Sequence, residues 1–92
     1  MRKTILITGA SSGIGKVTAQ YFQSQDWNVV ATMRSPDQET DLTLLENVFV
    51  TRLDVQDSAS ITQAIAAGID QFGRIDVLLN NAGYGSYGVL EA

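Results

Sequence analysis

Four short apolar runs, separated by segments with helical character, constrain the fold of this chain more than any other feature. The runs are rich in β-branched residues and cover residues 3–8, 28–33, 48–53 and 76–80. Each is almost continuously apolar, which is typical of strands buried on both faces of a parallel sheet. Right-handed crossovers with helices between such strands build a doubly wound sheet. The sequence therefore predicts an α/β fold in the order β-α-β-α-β-α-β, with a doubly wound parallel sheet.

The three segments between the strands predict helices of unequal strength. The last one carries Asp57 or Ser58 as its N-cap and Gly73 as its stop. Its inward face is predicted from helical spacing to consist of Ile61, Ala64, Ile65, Ile69 and Phe72. A first helix is predicted over about residues 13–25, and a short, weak second helix over residues 36–46.

Length, charge and composition exclude several classes of protein. A chain of 92 residues holds one domain or part of one. Six Lys and Arg against ten Asp and Glu give a net charge of −4, so nucleic acid is not an expected partner. The absence of His and Cys excludes zinc fingers, disulfides and thiol or imidazole chemistry. The first apolar run is too short for a signal peptide or a membrane span, and we expect a soluble cytoplasmic protein with no membrane contact.

A glycine-rich segment connects the first strand to the first helix and reads Thr-Gly-Ala-Ser-Ser-Gly-Ile-Gly over residues 8–15. A strand that runs into a helix directs free backbone N–H groups and the positive end of the helix dipole toward one point, which suits a pyrophosphate. Gly9 would allow the tight turn, Gly13 the approach of the backbone to the phosphates, and Gly15 the packing of the helix on the strand. Ordinary turns also use glycine, so this segment alone leaves a purely structural role open.

Two further motifs follow later strands of the predicted sheet. Asp54-Val55 comes after the third strand, and Asn-Asn-Ala-Gly ends the fourth at residues 80–83. Together with the Thr-Gly-x-x-x-Gly-Ile-Gly turn, they resemble the short-chain dehydrogenase/reductase family over about residues 3–83. The resemblance implies a Rossmann-type doubly wound parallel sheet with the strand order 3-2-1-4, truncated after its fourth strand. It also implies that residues 1–92 are the N-terminal part of a single dinucleotide-binding domain.

The resemblance further implies which residues bind the cofactor. Those around the dinucleotide phosphates and the adjoining ribose are Gly9, Ser11, Ser12, Gly13, Ile14 and Gly15. Asp54 would accept a hydrogen bond from the adenine amino group, and Val55 would lie beside the ring. The fourth strand would be held at the cofactor by Asn81, Ala82 and Gly83. Structural alternatives stay open, because Asp54 also suits a loop or helix-capping carboxylate and the Asn81 segment a simple turn.

The end of the second strand favours NADP (NADPH) over NAD as the cofactor. In NAD-preferring members an acidic residue ends this strand and binds the ribose hydroxyls. Here Met33 takes that position and Arg34 follows it. A guanidinium can form charge-assisted bonds to the 2′-phosphate, whereas a surface charge is the alternative for Arg34. Ser35 either binds the same phosphate or caps the next helix, and Ser12 is a further donor.

The family's proton-transfer residues, a Ser and a Tyr-x-x-x-Lys pair, cannot be assigned in this chain. The candidate tyrosines are Tyr21, Tyr84 and Tyr87, and neither Lys3 nor Lys16 lies four residues after any of them. The resemblance implies the NADP(H)-binding part of a short-chain oxidoreductase that interconverts an alcohol and a carbonyl by hydride transfer. We expect this chain to be inactive by itself, with no catalytic or metal-ligating residue. The alternative is a non-catalytic dinucleotide-binding or regulatory protein, and a flavodoxin-like receiver is disfavoured because its acidic cluster is absent.

The end of the chain predicts a glycine-rich loop over residues 83–88 and a helix that begins near Val89. In the order 3-2-1-4 the fourth strand would be an uncovered apolar edge, which invites pairing. We therefore expect a truncated product, a partly determined chain or a shortened reading frame. The resemblance implies a small carbonyl or alcohol substrate and a homo-oligomer for a full-length protein. Neither the substrate nor the direction of the reaction follows from the sequence.

Overall fold

The computed structural model describes residues 2–81 and the backbone of residues 89–91. Within these residues the elements follow the predicted order closely. They are β1 (Thr4–Ile7), α1 (Gly13–Ser24), β2 (Asn28–Met33), β3 (Val48–Arg52), α2 (Ser58–Phe72), β4 (Val77–Leu79) and β5 (Val89–Glu91). Two short 3₁₀-helices, Pro36–Gln38 and Leu42–Leu44, lie between β2 and β3.

The sheet has the strand order β3-β2-β1-β4-β5. The first four strands pair in parallel, with Leu6 of β1 in register with Val30 of β2 and Leu78 of β4. This confirms the predicted order 3-2-1-4. Because all four strands run the same way, the residues that follow them lie at one edge of the sheet, and this carboxyl edge carries the predicted motifs.

Side chains alternate between two apolar layers, one on each face of the sheet. One layer contains Ile5 and Ile7, and α1 contributes the fully buried Ala19 to it. The other layer contains Leu6 and Val30 and is covered by α2. Burial on both faces explains why the strands read as nearly continuous apolar runs.

The predicted second α-helix is wrong, since residues 36–46 form the two 3₁₀-helices instead. The segment is interrupted at Glu39, whose backbone is extended and whose Oε2 accepts a hydrogen bond from the Leu42 N–H at 2.9 Å. Local side-chain bonds of this kind compete with an α-helix. The second 3₁₀-helix places the Leu42 side chain, which is fully buried, in the layer beside α1.

The inward face of α2 is largely as predicted, since Ala64 is buried in the layer under the helix and Ile61, Ile65 and Phe72 pack against it, but Ile69 differs. Ile69 is 45% exposed, and the residues closest to the sheet are the small ones at a spacing of four, Ser60, Ala64 and Gly68. A Cβ at residue 68 would lie 2.9 Å from Val30 Cγ2. The helix therefore packs so closely that small residues take the centre of its face and larger ones flank it.

The ends of α2 are as predicted, whereas the end of the chain is not. Asp57 caps α2 by accepting hydrogen bonds from the N–H groups of residues 59 and 60, and Gly73 ends it. Residues 89–91 form a strand rather than the start of a helix, and β5 pairs antiparallel with β4. The edge of β4 is thus covered, contrary to expectation. No helix in the described part of the chain is both long and apolar enough to span a bilayer.

Candidate functional site

The glycine-rich turn between β1 and α1 has the backbone geometry that its sequence predicts. Gly9 has φ 64° and Gly13 has φ 57°, both in the left-handed region that favours glycine. Gly15 is buried where α1 meets the turn. A Cβ there would collide with the Gly9 carbonyl oxygen and lie 2.6 Å from Asn81 Nδ2. The turn can therefore fold this tightly only without a side chain at position 15.

The backbone N–H groups at the start of α1 are available to a ligand. Ala10 is an exception, because its N–H donates to the Thr32 carbonyl at 3.0 Å. Within residues 2–81, the N–H groups of residues 11–15 donate to no protein acceptor, and the first helical bond is that of Lys16 to Ser12. Ser12 takes the N-cap position, but its side chain forms no capping bond. Unpaired donors at the positive end of a helix form an anion site.

The turn is fixed to the end of β4 by a hydrogen-bond network. Thr8 Oγ1 donates to Asn80 Oδ1 at 2.9 Å and accepts from the Asn81 N–H at 2.8 Å. Asn81 Nδ2 donates to the Gly9 carbonyl at 3.2 Å. Asn81 therefore links two of the predicted motifs instead of simply ending a strand. Ala82 and Gly83, with Tyr84 and Tyr87, lie outside the described residues.

A central cleft of about 450 Å³ opens between the glycine turn and the ends of β2 and β3. The predicted site residues that line it are Gly9, Ser11, Ser12, Arg34, Asp54, Val55 and Asn81. The structure adds Met33, Leu53 and Gln56, which the sequence did not assign to the site. Gly13, Ile14 and Gly15 belong to the turn but not to the cleft wall, and the Ile14 side chain is 71% exposed.

A side pocket of about 400 Å³ adjoins the central cleft and shares Ser11 and Arg34 with it. Its remaining lining residues are Lys16, Ser35, Gln38, Glu39 and Thr40. Arg34 is exposed and forms no ion pair or hydrogen bond with any residue in 2–81. Ser35 precedes the first 3₁₀-helix without a side-chain capping bond. Both groups are therefore open to a ligand that reaches from the cleft into the pocket.

Asp54 stabilises the loop after β3 through its carboxylate and also lines the central cleft. Its Oδ1 accepts from the Gln56 N–H at 2.9 Å, which fits the loop-carboxylate alternative. Its backbone is held by the buried Ser60 hydroxyl, which accepts from the Asp54 N–H at 2.9 Å and lies 3.0 Å from its carbonyl. The fixed loop keeps Asp54 and the 39% exposed Val55 at the cleft wall.

Lys16 is the charged residue of this region that sequence reasoning missed. Its Nζ lies 2.8 Å from Asp41 Oδ2 and 3.4 Å from Glu39 Oε2. The hydrogen bond to Asp41 raises the pKa of Lys16 above 10.5, and the same bond lowers the pKa of Asp41 below 3.8. In the sequence, the only indication of a role for this lysine is its position directly after Gly15. Its two acidic partners lie in a segment that was predicted to be a helix, so their contact with Lys16 could not be predicted.

The described residues contain no group of three acidic, His or Cys side chains that could hold a metal ion. Tyr21 lies on α1, is 59% exposed, and lines neither the central cleft nor the side pocket. The described features that bear on binding are therefore the unpaired N–H groups of residues 11–15 and the unpaired Arg34 beside the central cleft.

Comparisons with known proteins agree with this geometry. A family model described as short chain dehydrogenase matches residues 3–92. The oxidoreductase BOA17 of Botryotinia fuckeliana is 42% identical over 94 residues, which cover 99% of this chain and 34% of that protein. The 3-ketodihydrosphingosine reductase of Bacteroides thetaiotaomicron is 46% identical over 87 residues, covering 95% and 30%. The chain thus spans about a third of the length of these curated relatives.

Solved structures share the same fold. ElxO with NADP bound superposes with a TM-score of 0.80 at 38% identity, covering 91% of this chain and 36% of that one. A short-chain dehydrogenase from Streptomyces avermitilis gives a TM-score of 0.81 at 35% identity, covering 90% and 31%. A 3-ketoacyl-(acyl-carrier-protein) reductase from Brucella melitensis, complexed with NADH, gives 0.77 at 28% identity, covering 84% and 32%.

Proposed function

This chain belongs to the short-chain dehydrogenase family, and from that premise we propose that it is the NADP(H)-binding part of an oxidoreductase that interconverts an alcohol and a carbonyl. The observation that carries the proposal is the position of Arg34. It is a cation without an acidic partner among residues 2–81, and it lies where the central cleft meets the side pocket.

The residues of the turn fit the diphosphate of a dinucleotide. The unpaired N–H groups of residues 11–15 and the hydroxyl of Ser12 offer donors at the positive end of α1. Gly9 and Gly13 keep the backbone free of side chains that would stand between it and the phosphates. We assign Ile14 and Gly15 to the same site, Gly15 through the close packing that holds α1 in place.

The rest of the central cleft fits the adenosine. The Asp54 carboxylate would accept from the adenine amino group with the oxygen that the Gln56 N–H does not occupy, and Val55 would pack on the ring. We assign Asn81, with Ala82 and Gly83, to the side of the cleft formed by the end of β4.

The choice between the two coenzymes follows from the charges at the end of β2. The last residue of β2 is Met33, whose side chain is uncharged and only 3% exposed. The end of the strand therefore presents no acceptor for ribose hydroxyls and no negative charge that would repel a phosphate. Arg34 can form charge-assisted bonds to a 2′-phosphate in the side pocket. The Ser35 hydroxyl, which forms no capping bond to the 3₁₀-helix, adds a neutral donor.

When bound, NADP(H) would donate a hydride to the carbonyl carbon in reduction or accept one from the alcohol carbon in oxidation. The described residues bind and orient the adenosine and diphosphate portion, so the nicotinamide is positioned by a part of the site that they do not form. We propose that residues 1–92 are the N-terminal part of one dinucleotide-binding domain. We also propose that the complete protein is a cytoplasmic homo-oligomer with a small-molecule substrate.

The decisive test is a fluorescence titration of the full-length protein and its Arg34→Ala variant with NADPH and NADH. Loss of a charged hydrogen bond costs roughly 1.5 to 3 kcal/mol, so the affinity for NADPH should fall roughly ten- to a hundred-fold. The affinity for NADH should change little, because NADH has no 2′-phosphate.

The matched control is Arg2→Ala, which removes another exposed arginine, paired with Asp26 ahead of β2 at the opposite edge of the sheet. It should leave both affinities unchanged. Equal weakening of NADPH and NADH in the Arg34 variant would refute the assignment. Reduction of a carbonyl by the full-length protein with NADPH separates an oxidoreductase from a non-catalytic dinucleotide-binding protein.

A further inference from the structure

We propose that Lys16 determines the coenzyme preference indirectly, by neutralising the carboxylates of Glu39 and Asp41 beside the position of the 2′-phosphate. The inference rests on the proposed function, because it takes the side pocket as the place of that phosphate. It assigns a role to a residue of α1 that lies outside the glycine motif.

The position of Lys16 is the first part of the argument. It lines the side pocket together with Arg34 and Ser35. Its Nζ lies between two carboxylates, at 2.8 Å from Asp41 Oδ2 and 3.4 Å from Glu39 Oε2. The side chain is only 23% exposed, so the contact is made in a partly desolvated place. The Lys16 ammonium group is therefore ion-paired with these two carboxylates, whereas Arg34 has no such partner among residues 2–81.

The fixed position of Glu39 is the second part. Its side chain is 3% exposed, it lines the same pocket, and its Oε2 accepts from the Leu42 N–H at 2.9 Å. Leu42 is itself fully buried, so this carboxylate is held in place by the packing of the second 3₁₀-helix. It cannot turn into solvent when an anion enters the pocket. Asp41, with its side chain 67% exposed, adds a second, more screened charge.

The balance of charges is the third part. Among the described residues, the charged side chains in and around the side pocket are two cations, Lys16 and Arg34, and two anions, Glu39 and Asp41. Removal of Lys16 would leave one cation against two carboxylates, next to a ligand phosphate that carries about two negative charges. Like charges at short range in a partly buried pocket repel one another. The carboxylates would then oppose NADPH, whereas NADH would be little affected.

The test uses fluorescence titrations of the full-length protein with NADPH and NADH at low ionic strength. Lys16→Met keeps the aliphatic stem and removes the charge. We expect its NADPH affinity to fall about ten-fold and its NADH affinity to change less than about two-fold. The part of the NADPH effect that comes from the exposed Asp41 should shrink as salt is added, whereas the part from the buried Glu39 carboxylate should be screened less.

A rescue variant separates neutralisation from direct binding. In Lys16→Met combined with Glu39→Gln and Asp41→Asn, the carboxylates are gone, and the amide oxygen of the new side chain at position 39 can still accept from the Leu42 N–H. NADPH affinity should return to within about two-fold of the wild type. If it stays low while NADH binding is normal, Lys16 contacts the phosphate directly and the proposal is wrong. Unchanged NADPH affinity in Lys16→Met also overturns it.

Two further variants protect the test against a folding defect. Lys16→Arg keeps the charge and should bind both coenzymes like the wild type. Glu39→Gln with Asp41→Asn, in the presence of Lys16, should bind NADPH several-fold more tightly, because it leaves a second unpaired cation in the pocket. Equal losses for both coenzymes in Lys16→Met would indicate a structural role only and would overturn the proposal. Failure of Arg34→Ala to discriminate between the coenzymes would instead refute the proposed function itself.

Discussion

At the scale of single residues, the contact between α1 and the turn before it depends on the hydrogen atom at Gly15. The Gly9 carbonyl oxygen and the Asn81 amide occupy the space that any Cβ would need. Gly13 is the useful contrast, because a Cβ there meets nothing within 4 Å, although its φ of 57° disfavours a side chain. The two glycines are thus required for different physical reasons.

Gly15→Ala should destabilise the protein by about 3 kcal/mol, because the neighbouring atoms are a backbone carbonyl and a hydrogen-bonded amide that cannot easily move. Gly13→Ala should cost only about 1 kcal/mol, the cost of a left-handed conformation. Urea denaturation at fixed pH measures both free energies of unfolding. Equal losses would show that the close approach at Gly15 is not the limiting contact.

The residue scale also shows how far sequence patterns predict a site. The tight turn at Gly9, Gly13 and Gly15 was predictable from three glycines at this spacing between a strand and a helix, whereas phosphate binding by the turn stays a prediction. Lys16 was not, because a lysine on a helix is usually a solvated surface charge. Only the structure brings Glu39 and Asp41, more than twenty residues later in the chain, to its ammonium group.

At the scale of elements, α2 has a well-defined beginning. Asp57 Oδ1 accepts from the N–H groups of Ala59 and Ser60 at 3.1 and 3.4 Å, which satisfies two of the donors that a helix start leaves unpaired. The same helix holds the loop of Asp54 through the buried Ser60 hydroxyl. The stability of the helix start and the shape of the cleft wall are therefore coupled.

Asp57→Ala should lower the free energy of unfolding by about 1 kcal/mol through loss of the cap. Asp57→Asn keeps an acceptor oxygen and should lose much less. Ser58→Ala is the matched control, because the Ser58 side chain has no part in the cap. Thermal or urea denaturation checks all three variants, and a Ser58 effect as large as that of Asp57 would contradict the assignment of the cap.

The predictability of an element followed the strength of its own signals. The ends of α2 were predicted correctly because a capping acid and a terminal glycine act locally. Residues 36–46 were mispredicted because the proline and its following acid start a turn, and Glu39 then bonds to the Leu42 N–H and begins another. Ile69 was mispredicted because helical spacing does not show how closely a helix packs on the sheet.

At the scale of the whole molecule, Thr4, the first residue of β1, is joined to Asp76, which directly precedes β4 and lies 72 residues later in the chain. The Thr4 N–H donates to Asp76 Oδ2 at 2.8 Å, and the Asp76 N–H donates to the Thr4 carbonyl at 2.9 Å. Arg74 pairs with the same carboxylate. The Arg74 guanidinium and then the Thr4 N–H lower the pKa of Asp76 below 3.8.

This lowered pKa predicts an acid-sensitive contribution to stability. The carboxylate stabilises the fold at pH values above its ordinary pKa of 3.8, and this contribution is lost as the pH falls through the lowered value. Asp76→Asn should therefore be less stable than the wild type near neutral pH and should lose less stability on acidification. Urea denaturation from about pH 7 to about pH 3 measures the difference.

Asp26→Asn is the control for this experiment, because Asp26 is an exposed acid paired with Arg2 and asparagine tolerates its φ of 68°. Because an exposed ion pair contributes little, its free energy of unfolding near neutral pH should stay close to that of the wild type. An identical pH profile for Asp76→Asn and the wild type would show that the contact between the strands does not depend on ionisation.

The sequence predicted the four parallel strands of the sheet but not the fifth, antiparallel strand. Alternating strands and helices predicted a parallel, doubly wound sheet, and the order of its first four strands was predicted only with the resemblance to the short-chain dehydrogenase/reductase family. The antiparallel β5 did not, because three residues, Val89–Glu91, are too few to distinguish a strand from a helix by period. Its pairing with β4 is a property of the assembled sheet rather than of the local sequence.

The crossover between β2 and β3 has a consequence for redesign. Two 3₁₀-helices take the place of an α-helix there, and this segment is anchored to the body of the protein by the buried side chain of Leu42 and the ionic contact of Lys16. It nevertheless forms most of one wall of the side pocket. A segment of different sequence can be grafted between the two strands, with a leucine kept at the anchor, and the sheet need not be repacked. The lining of the side pocket can in this way be altered with little change to the buried layers of the sheet.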